Sequence, residues 1–155
     1  MAGLKAEIAQ ERPFASLEEE ALLNLLRTSD KLNRVVQLKT RPWGVTSTQY
    51  NVLRILRGAE QRGLTCSASG SRMIAAEPDI TRLLARLKAL KLIRQRRDRH
   101  DKRVVWTQIS ESGLALLDEM GPVILRLPEE LLGHMSQPEL RALIRMLELA
   151  RGGNQ

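Results

Sequence analysis

The sequence predicts a mainly α fold with one small β-hairpin, an α+β arrangement, and three observations support this prediction. Apolar residues recur at spacings of three and four along most of the chain, which is the helical period. That period disappears only in a short alternating stretch near residue 100. The 155 residues, 43% of them hydrophobic, are enough for about one domain with a genuine core.

The first helix is predicted to be long. Ser16 followed three residues later by Glu19 is a capping box. The helix should end near Thr40, because Pro42 and Gly44 cannot readily continue it. Between these ends, six apolar residues fall roughly on one stripe: Leu22, Leu25, Leu26, Leu32, Val35 and Val36.

Two shorter helices are predicted next. Thr46 and Gln49 form a second capping box, and Gly58 marks the exit of the helix that follows it. Residues 65–74 are rich in Ser and Gly, which have modest helix propensity, and we expect one short helix there.

The segment that opens at Pro78 and Asp79 is the clearest helix of the chain, because Pro suits a first turn and an acidic side chain complements the helix dipole. Its predicted buried stripe consists of Ile80, Leu83, Leu84, Leu87 and Leu90. The opposite face carries a hydroxyl, two guanidinium groups and small methyl side chains, from Thr81, Arg82, Ala85, Arg86 and Ala89. Such a face can press against a grooved surface.

The stretch after Leu92 is predicted to be a β-hairpin, with residues 93–97 pairing with residues 103–109 across a turn at 98–102. In the second strand, Val105, Thr107 and Ile109 alternate with Val104, Trp106 and Gln108, so one face can be covered by the core. Ser110 then caps a helix that Gly121 and Pro122 should kink or break. The last helix begins at Ser136, with Glu139 completing a third capping box.

The net charge of +7 is concentrated in one segment. Residues 82–103 contain ten basic and two acidic residues, a net charge of +8, so the rest of the chain sums to −1. A field this concentrated favours a polyanionic partner, since each neutralised phosphate releases counterions. A basic face kept only for solubility is the alternative, but it usually spreads along the chain.

Two short helices followed by a basic hairpin predict a winged helix-turn-helix, because the major groove of B-DNA admits an α-helix. Arg82 and Arg86 lie one turn apart and can reach base edges or phosphates, and Thr81 can contact bases or backbone. The hairpin tip, or wing, would lie in the neighbouring minor groove, where the potential is strongly negative. Its predicted DNA contacts are Arg97, Arg99, Lys102 and Arg103.

The run PDITRLLARLKALKLIRQRRDRHDKRVVWTQISESG resembles the MarR (multiple antibiotic resistance regulator) family of winged-helix transcription factors. That family's wing carries an Asp-x-Arg ahead of a strand that ends in Thr or Ser and then Gly. This chain matches the pattern with Asp101, Arg103, Ser110 and Gly113. The resemblance extends from Leu17 to Ala150.

The resemblance implies that residues 79–91 are the recognition helix and that Arg103 enters the minor groove. It also implies that Asp101 braces the wing by a salt bridge. Where the family usually has a Gly closing the recognition helix, this chain has Lys91, which must take another exit or adopt a left-handed conformation. The first helix of the helix-turn-helix, expected at residues 66–74, is less apolar than usual.

The terminal helices carry more apolar surface than a small DNA-binding lobe can bury, so a partner is expected, with a closed monomeric core as the alternative. The resemblance implies a homodimer whose first and last helices interlock and whose recognition helices reach a pseudo-palindromic operator. The predicted organisation is an N-terminal arm and first dimerisation helix (1–45), a winged lobe (46–112) and C-terminal dimerisation helices (113–155), interlocked as one domain. The candidate dimerisation residues are Leu22, Leu25, Leu26, Leu140, Leu143, Ile144 and Leu147.

The aromatic, cysteine and histidine residues are the other candidates for ligand binding or catalysis. Members of the family resembled bind small aromatic anions between the dimerisation region and the DNA-binding lobe. Trp43 and Tyr50 are therefore candidates for binding an aromatic or phenolic effector, with core packing as the alternative. Cys66 is interpreted as a structural thiol rather than a redox sensor. Because His100 and His134 lie far apart and lack a ligand cluster, neither a metal nor a cofactor is predicted.

The predicted function is regulation of transcription through duplex DNA, as a repressor because a dimer seated on a promoter obstructs polymerase, with activation as the alternative. A protein-interaction winged helix and an RNA-binding module are the alternatives, the latter disfavoured because no aromatic platform for single strands is evident. An enzyme is not expected, because no nucleophile and base can be assigned. A lone cysteine and the absence of a long apolar run predict a cytoplasmic protein without membrane contact.

Overall fold

The computed structural model describes residues 3–59 and 62–152, which contain eight α-helices and one three-stranded antiparallel sheet. The helices are α1 (Leu4–Glu7), α2 (Leu17–Thr40), α3 (Ser47–Gly58), α4 (Cys66–Gly70), α5 (Ile80–Ala89), α6 (Glu111–Ile124), α7 (Leu127–Leu132) and α8 (Gln137–Gly152). The strands are β1 (Leu64–Thr65), β2 (Ile93–Arg97) and β3 (Val105–Ile109), and a 3-10 turn at Arg41–Trp43 follows α2.

The helix starts predicted from capping residues are confirmed. The Ser16 hydroxyl accepts the Glu19 backbone N–H at 3.2 Å at the start of α2. Thr46 and Gln49 bond each other reciprocally at the start of α3. At α8 the Glu139 carboxylate accepts both the backbone N–H and the hydroxyl of Ser136 at 2.7 Å, which holds the pKa of Glu139 below its ordinary value.

The sheet has the order β1-β3-β2, so the predicted hairpin is confirmed and a third short strand is added. In the hairpin, Ile93 lies opposite Ile109 and Arg97 lies opposite Val105. Strand β1 was not predicted, because two residues are too short to show an alternating period. It follows Gly63, where a φ of +71° disfavours any other residue and a Cβ would lie only 2.7 Å from the Thr107 carbonyl oxygen.

Three predicted boundaries are wrong. Helix α4 ends at Gly70 rather than residue 74, and the chain continues in tighter turns in which the Arg72 and Met73 N–H groups bond the Ser69 and Gly70 carbonyls three residues back. Strand β3 begins at Val105 rather than at residue 103, since the turn is wider than predicted. Helix α6 is not broken at Gly121 and Pro122 but continues to Ile124, since the proline removes only its own N–H donor and the Leu125 N–H still bonds the Gly121 carbonyl at 2.9 Å.

The exit of α5 takes the left-handed conformation considered for Lys91, with a φ of +60°. The Lys91 backbone N–H bonds the Lys88 carbonyl at 2.9 Å, and the Leu92 N–H bonds the Leu87 carbonyl at 3.0 Å. This pattern closes the helix in the manner that glycine usually provides. Strand β2 therefore leaves immediately after the helix.

The core lies between α3, α5, α6 and the sheet. Its fully buried large side chains include Leu53 and Leu56 of α3, Leu84 and Leu87 of α5, and Met120 of α6. The two long helices contribute little to it, since α2 buries one residue and α8 none. None of the helices in residues 3–59 and 62–152 is both long and apolar enough to cross a membrane.

Candidate nucleic-acid interface

Helix α5 presents a defined outer face. Asp79 caps it by accepting the Arg82 backbone N–H at 2.9 Å, and burial of Leu83, Leu84 and Leu87 fixes its rotation about the helix axis. The residues turned outward are Thr81, Arg82, Ala85, Arg86, Lys88 and Ala89, all exposed. The predicted DNA-facing residues therefore lie on an exposed face.

The cations of the wing are also exposed. Arg97, Arg99, Lys102 and Arg103 lie at or beside the turn between β2 and β3. Of the ten cations in residues 82–103, a segment described throughout, only Arg94 forms an ion pair, with Glu111 at 3.3 Å. The other nine cations thus form no ion pair with any carboxylate of residues 3–59 or 62–152.

The helix and the wing meet at a shared cleft. A cavity of about 540 Å³ lies between α4, α5 and the sheet, and both Thr81 and Arg103 line it. A neighbouring groove is bordered by Ala85 and Lys88 of α5 and by Gln95 of β2. Residues 22 positions apart in sequence therefore form one continuous surface of helix and hairpin.

The wing turn is held by Asp98. Its Oδ1 accepts the backbone N–H groups of His100 at 2.8 Å and Asp101 at 3.1 Å, and its Oδ2 accepts the indole Nε1–H of Trp106 at 2.9 Å. The Trp106 bond, followed by the two backbone bonds, lowers the pKa of Asp98 from 3.8 to about 2. The carboxylate therefore remains charged throughout the neutral range.

Asp101 holds the wing turn by a hydrogen bond from the backbone, not by the salt bridge that the resemblance implied. Its Oδ1 accepts the backbone N–H of Arg103 at 2.9 Å, and no ion pair joins the two side chains in this fully described turn. A carboxylate two residues before an N–H makes a local Asx-type turn, which competes with reaching the guanidinium. The Arg103 guanidinium consequently forms no ion pair with Asp101 or with any other carboxylate that the structure describes.

The candidate dimerisation residues lie on poorly covered faces. Leu22, Leu25 and Leu26 of α2 are 56%, 43% and 57% exposed, and Ile144 of α8 is 55% exposed. Leu140, Leu143 and Leu147 are half-buried. Other apolar side chains exposed on these helices are Leu17, Leu38, Met146 and Leu149. Apolar surface of this extent is typical of a protein–protein interface.

Trp43 and Tyr50 are both half-buried and pack against the core, as their alternative interpretation proposed. The Trp43 indole donates to Glu119 of α6 at 3.1 Å, and the Arg54 guanidinium lies 5.9 Å from the Tyr50 ring. Trp43 thus links the end of α2 to α6. Their candidacy for effector binding stays a prediction.

The remaining candidate residues are not gathered into a reactive site. Cys66 is a free, half-buried thiol whose Sγ lies 3.7 Å from the Thr81 hydroxyl. His100 lies on the wing turn and His134 between α7 and α8. Within residues 3–59 and 62–152, no group of three His, Cys, Asp or Glu side chains is placed to hold a metal ion.

Three residues of this interface were missed by the sequence analysis. Lys88 lines the groove beside Thr81, which its spacing of seven residues along the helix could have indicated. The link between Asp98 and Trp106 crosses the hairpin, and no local pattern marks it.

Comparisons with known proteins identify the fold and the family. The chain matches no protein-family model and no curated protein. A MarR transcription factor from Planctomyces limnophilus is 35% identical, with 88% of this chain and 99% of that chain covered and a TM-score of 0.68.

Two more distant solved structures share the fold. A MarR family regulator from Streptomyces coelicolor, in complex with DNA, is 15% identical over 94% of this chain and 93% of that chain, with a TM-score of 0.81. BpsR from Bordetella bronchiseptica, whose DNA binding is regulated by 6-hydroxynicotinic acid, is 22% identical over 92% and 100%, with a TM-score of 0.78. These relatives are transcription regulators rather than enzymes. With the winged helix-turn-helix in place and a relative this similar over nearly its full length, the chain belongs to the MarR family of DNA-binding transcription regulators.

Proposed function

We propose that this protein is a homodimeric repressor that binds a pseudo-palindromic operator in duplex DNA and releases it in response to a small effector. The observation that carries the proposal is the set of exposed cations on α5 and the wing, together with the cleft that Thr81 of α5 and Arg103 of the wing both line. Cations that form no ion pair with the carboxylates in the described part of the chain are available to displace counterions from phosphates.

The two elements have different roles in the proposal. Arg82 and Arg86 read base edges in the major groove, where a guanidinium can bond guanine O6 and N7 together. Thr81 contacts bases or backbone beside them. The wing supplies most of the non-specific attraction through its exposed cations, with Arg103 in the minor groove: Arg97, Arg99, Lys102 and Arg103.

The dimer is supported by the apolar faces of α2 and α8. Helix α2 has one fully buried residue and α8 has none, although both carry several leucines. Covering such a surface with a second copy removes apolar area from water and relates the two recognition helices by a twofold axis. A twofold dimer requires an operator with matching symmetry.

The effector proposal is supported by the relative that 6-hydroxynicotinic acid regulates. A small aromatic or phenolic molecule of this kind would contact Trp43 and Tyr50, beside the junction of α2 with α6. It would lower DNA affinity only if it bound better to dimers whose recognition helices are wrongly spaced.

The test begins with selection of bound genomic fragments, followed by anisotropy titrations of the operator at several salt concentrations. Arg103→Ala should weaken binding to most sequences and make the salt dependence shallower, by about 0.9 in slope for each phosphate that the variant no longer neutralises. Arg86→Ala should instead relax preference at particular base pairs, since a bidentate contact discriminates by about 1–3 kcal/mol.

Arg145→Ala is the matched control, because it removes the same charge from an exposed position on α8. Sedimentation of the parent protein checks the dimer. Duplex RNA of the operator sequence serves as competitor for the RNA-binding alternative. If Arg103→Ala and Arg86→Ala both bind as tightly and selectively as the parent, the proposed docking is wrong.

A further inference from the structure

We propose that Asp98 and Trp106 act as a positioning pair for the wing, fixing the turn that presents Arg99, Lys102 and Arg103 to DNA. Neither side chain needs to contact DNA in this role. The inference rests on the proposed function, since it concerns how the wing delivers its cations.

The two oxygens of Asp98 have separate tasks. Oδ1 gathers the turn itself, by accepting the backbone N–H groups of His100 and Asp101. Oδ2 faces the other way and accepts the Trp106 indole at 2.9 Å. One carboxylate thereby ties the tip of the hairpin to a residue eight positions further along the chain. Such charge-assisted bonds are stronger than neutral ones.

Trp106 is a suitable anchor because the strand that carries it is held on both sides. It lies opposite Thr65 of β1 and opposite Arg96 of β2, in the central strand of the sheet. The Arg96 guanidinium lies 6.0 Å from the centre of the indole ring. The ring is half-buried, whereas every cation of the turn is exposed. The pair therefore joins the hairpin turn, an exposed loop, to a strand that is hydrogen-bonded on both sides.

A simple charge argument gives the opposite expectation for Asp98. Its carboxylate lies among the wing cations and repels phosphate, so its neutralisation alone should tighten DNA binding. A positioning role predicts weaker binding instead, because the cations would no longer be held in one arrangement. The two interpretations differ in the sign of the change.

Asp98→Asn tests this directly. An asparagine keeps Oδ1 for the two backbone donors but sets an NH₂ group against the indole N–H, two donors facing each other. We expect operator affinity to fall about tenfold, the scale of one charge-assisted hydrogen bond. Asp30→Asn is the matched control, since it removes the same charge from an exposed ion pair on α2.

Trp106→Phe removes the indole donor and keeps an aromatic ring in the strand. We expect it to weaken operator binding as Asp98→Asn does. The double variant should bind no more weakly than the weaker single variant, since the indole N–H that would face the amide NH₂ group is no longer present. Such non-additivity indicates direct coupling between the two side chains. Melting temperatures of all variants show whether any loss reflects unfolding. Trp106→Phe keeps the test decisive if Asp98→Asn does not fold.

A second readout separates positioning of the wing from a general structural effect. In a background of Arg99→Ala, Lys102→Ala and Arg103→Ala, the Asp98→Asn change should have almost no further effect on affinity. Three results would each overturn the inference and leave the proposed function standing. Asp98→Asn could lower affinity equally in the triple-alanine background, the effects of Asp98→Asn and Trp106→Phe could be additive, or Asp98→Asn could bind as tightly as Asp30→Asn. A parent protein that does not bind duplex DNA would overturn both.

Discussion

Adding a single methyl group at Gly113 should loosen the junction between α6 and the wing. A Cβ built there lies 2.3 Å from the Leu92 carbonyl oxygen and 2.8 Å from Ile109 Cγ1. Ordinary contact between non-bonded heavy atoms is about 3.5 Å, so α6 must move by about 1 Å away from Leu92 and Ile109. The carbonyl cannot turn aside freely, because it accepts the Ser110 N–H at 3.0 Å.

The expected magnitude follows from two opposed terms. Overpacking of this kind costs up to about 3 kcal/mol, whereas replacing a helical glycine by alanine returns about 1 kcal/mol. Gly113→Ala should therefore destabilise the fold by about 2 kcal/mol, which lowers the Tm of a chain of this length by about 4–8 °C. At Gly121 in the same helix a Cβ meets no atom within 4 Å. Gly121→Ala should therefore gain about 1 kcal/mol.

Calorimetry or circular dichroism melting of the two variants beside the parent provides the measurement, at one fixed protein concentration because a dimer's Tm depends on it. Operator affinity of Gly113→Ala should fall as well, since α5, the wing and α6 meet at Leu92. Equal melting temperatures for the two variants would refute the packing argument.

Three further predictions concern the end of α5, the wing and Cys66 of α4. Lys91→Gly should stabilise the protein by about 1 kcal/mol, because Lys91 has a φ of +60° that only glycine adopts without cost. Chemical denaturation measures the change in the free energy of unfolding, and a lower denaturation midpoint would contradict the prediction. The Asp98 pKa is lowered from 3.8 to about 2, so its stabilisation of the wing should be complete above pH 3.8 and be lost as the pH falls toward about 2. The Trp106 indole N–H signal reports this by NMR, and a midpoint at or above about 4 would count against the bonding described. Cys66→Ala should leave operator affinity unchanged and the parent should be insensitive to peroxide, as expected of a structural thiol; loss of DNA binding on oxidation would show otherwise.

The local elements were predictable because each rests on residues close together in sequence. Ser16, Thr46 and Ser110 cap helices through bonds to N–H groups three positions ahead, and a pattern of that span is visible in the sequence. The outer face of α5 was equally accessible, since burial of its leucines determines which side remains exposed. The role of each exposed residue in DNA binding stays a prediction.

Errors arose where short-range alternatives compete. Asp101 had a guanidinium two residues away and a backbone N–H at the same distance in sequence, and the N–H prevailed. Gly121 and Pro122 were expected to kink or break α6, but the helix is not broken there, because the proline removes one N–H donor and the next turn still closes by the bond from the Leu125 N–H to the Gly121 carbonyl. Strand β1 exists only because β3 offers it an edge.

The sequence by itself determined the helical stripes, their caps, the hairpin and the concentration of positive charge, because periodicity and charge are properties of neighbouring residues. Only the tertiary structure decided which distant groups meet: Thr81 and Arg103 at one cleft, Asp98 with Trp106, and Gly113 against the Leu92 carbonyl. The physical reason is that such contacts depend on how whole elements pack, and close packing permits only a few of the many pairings that the residue types would allow.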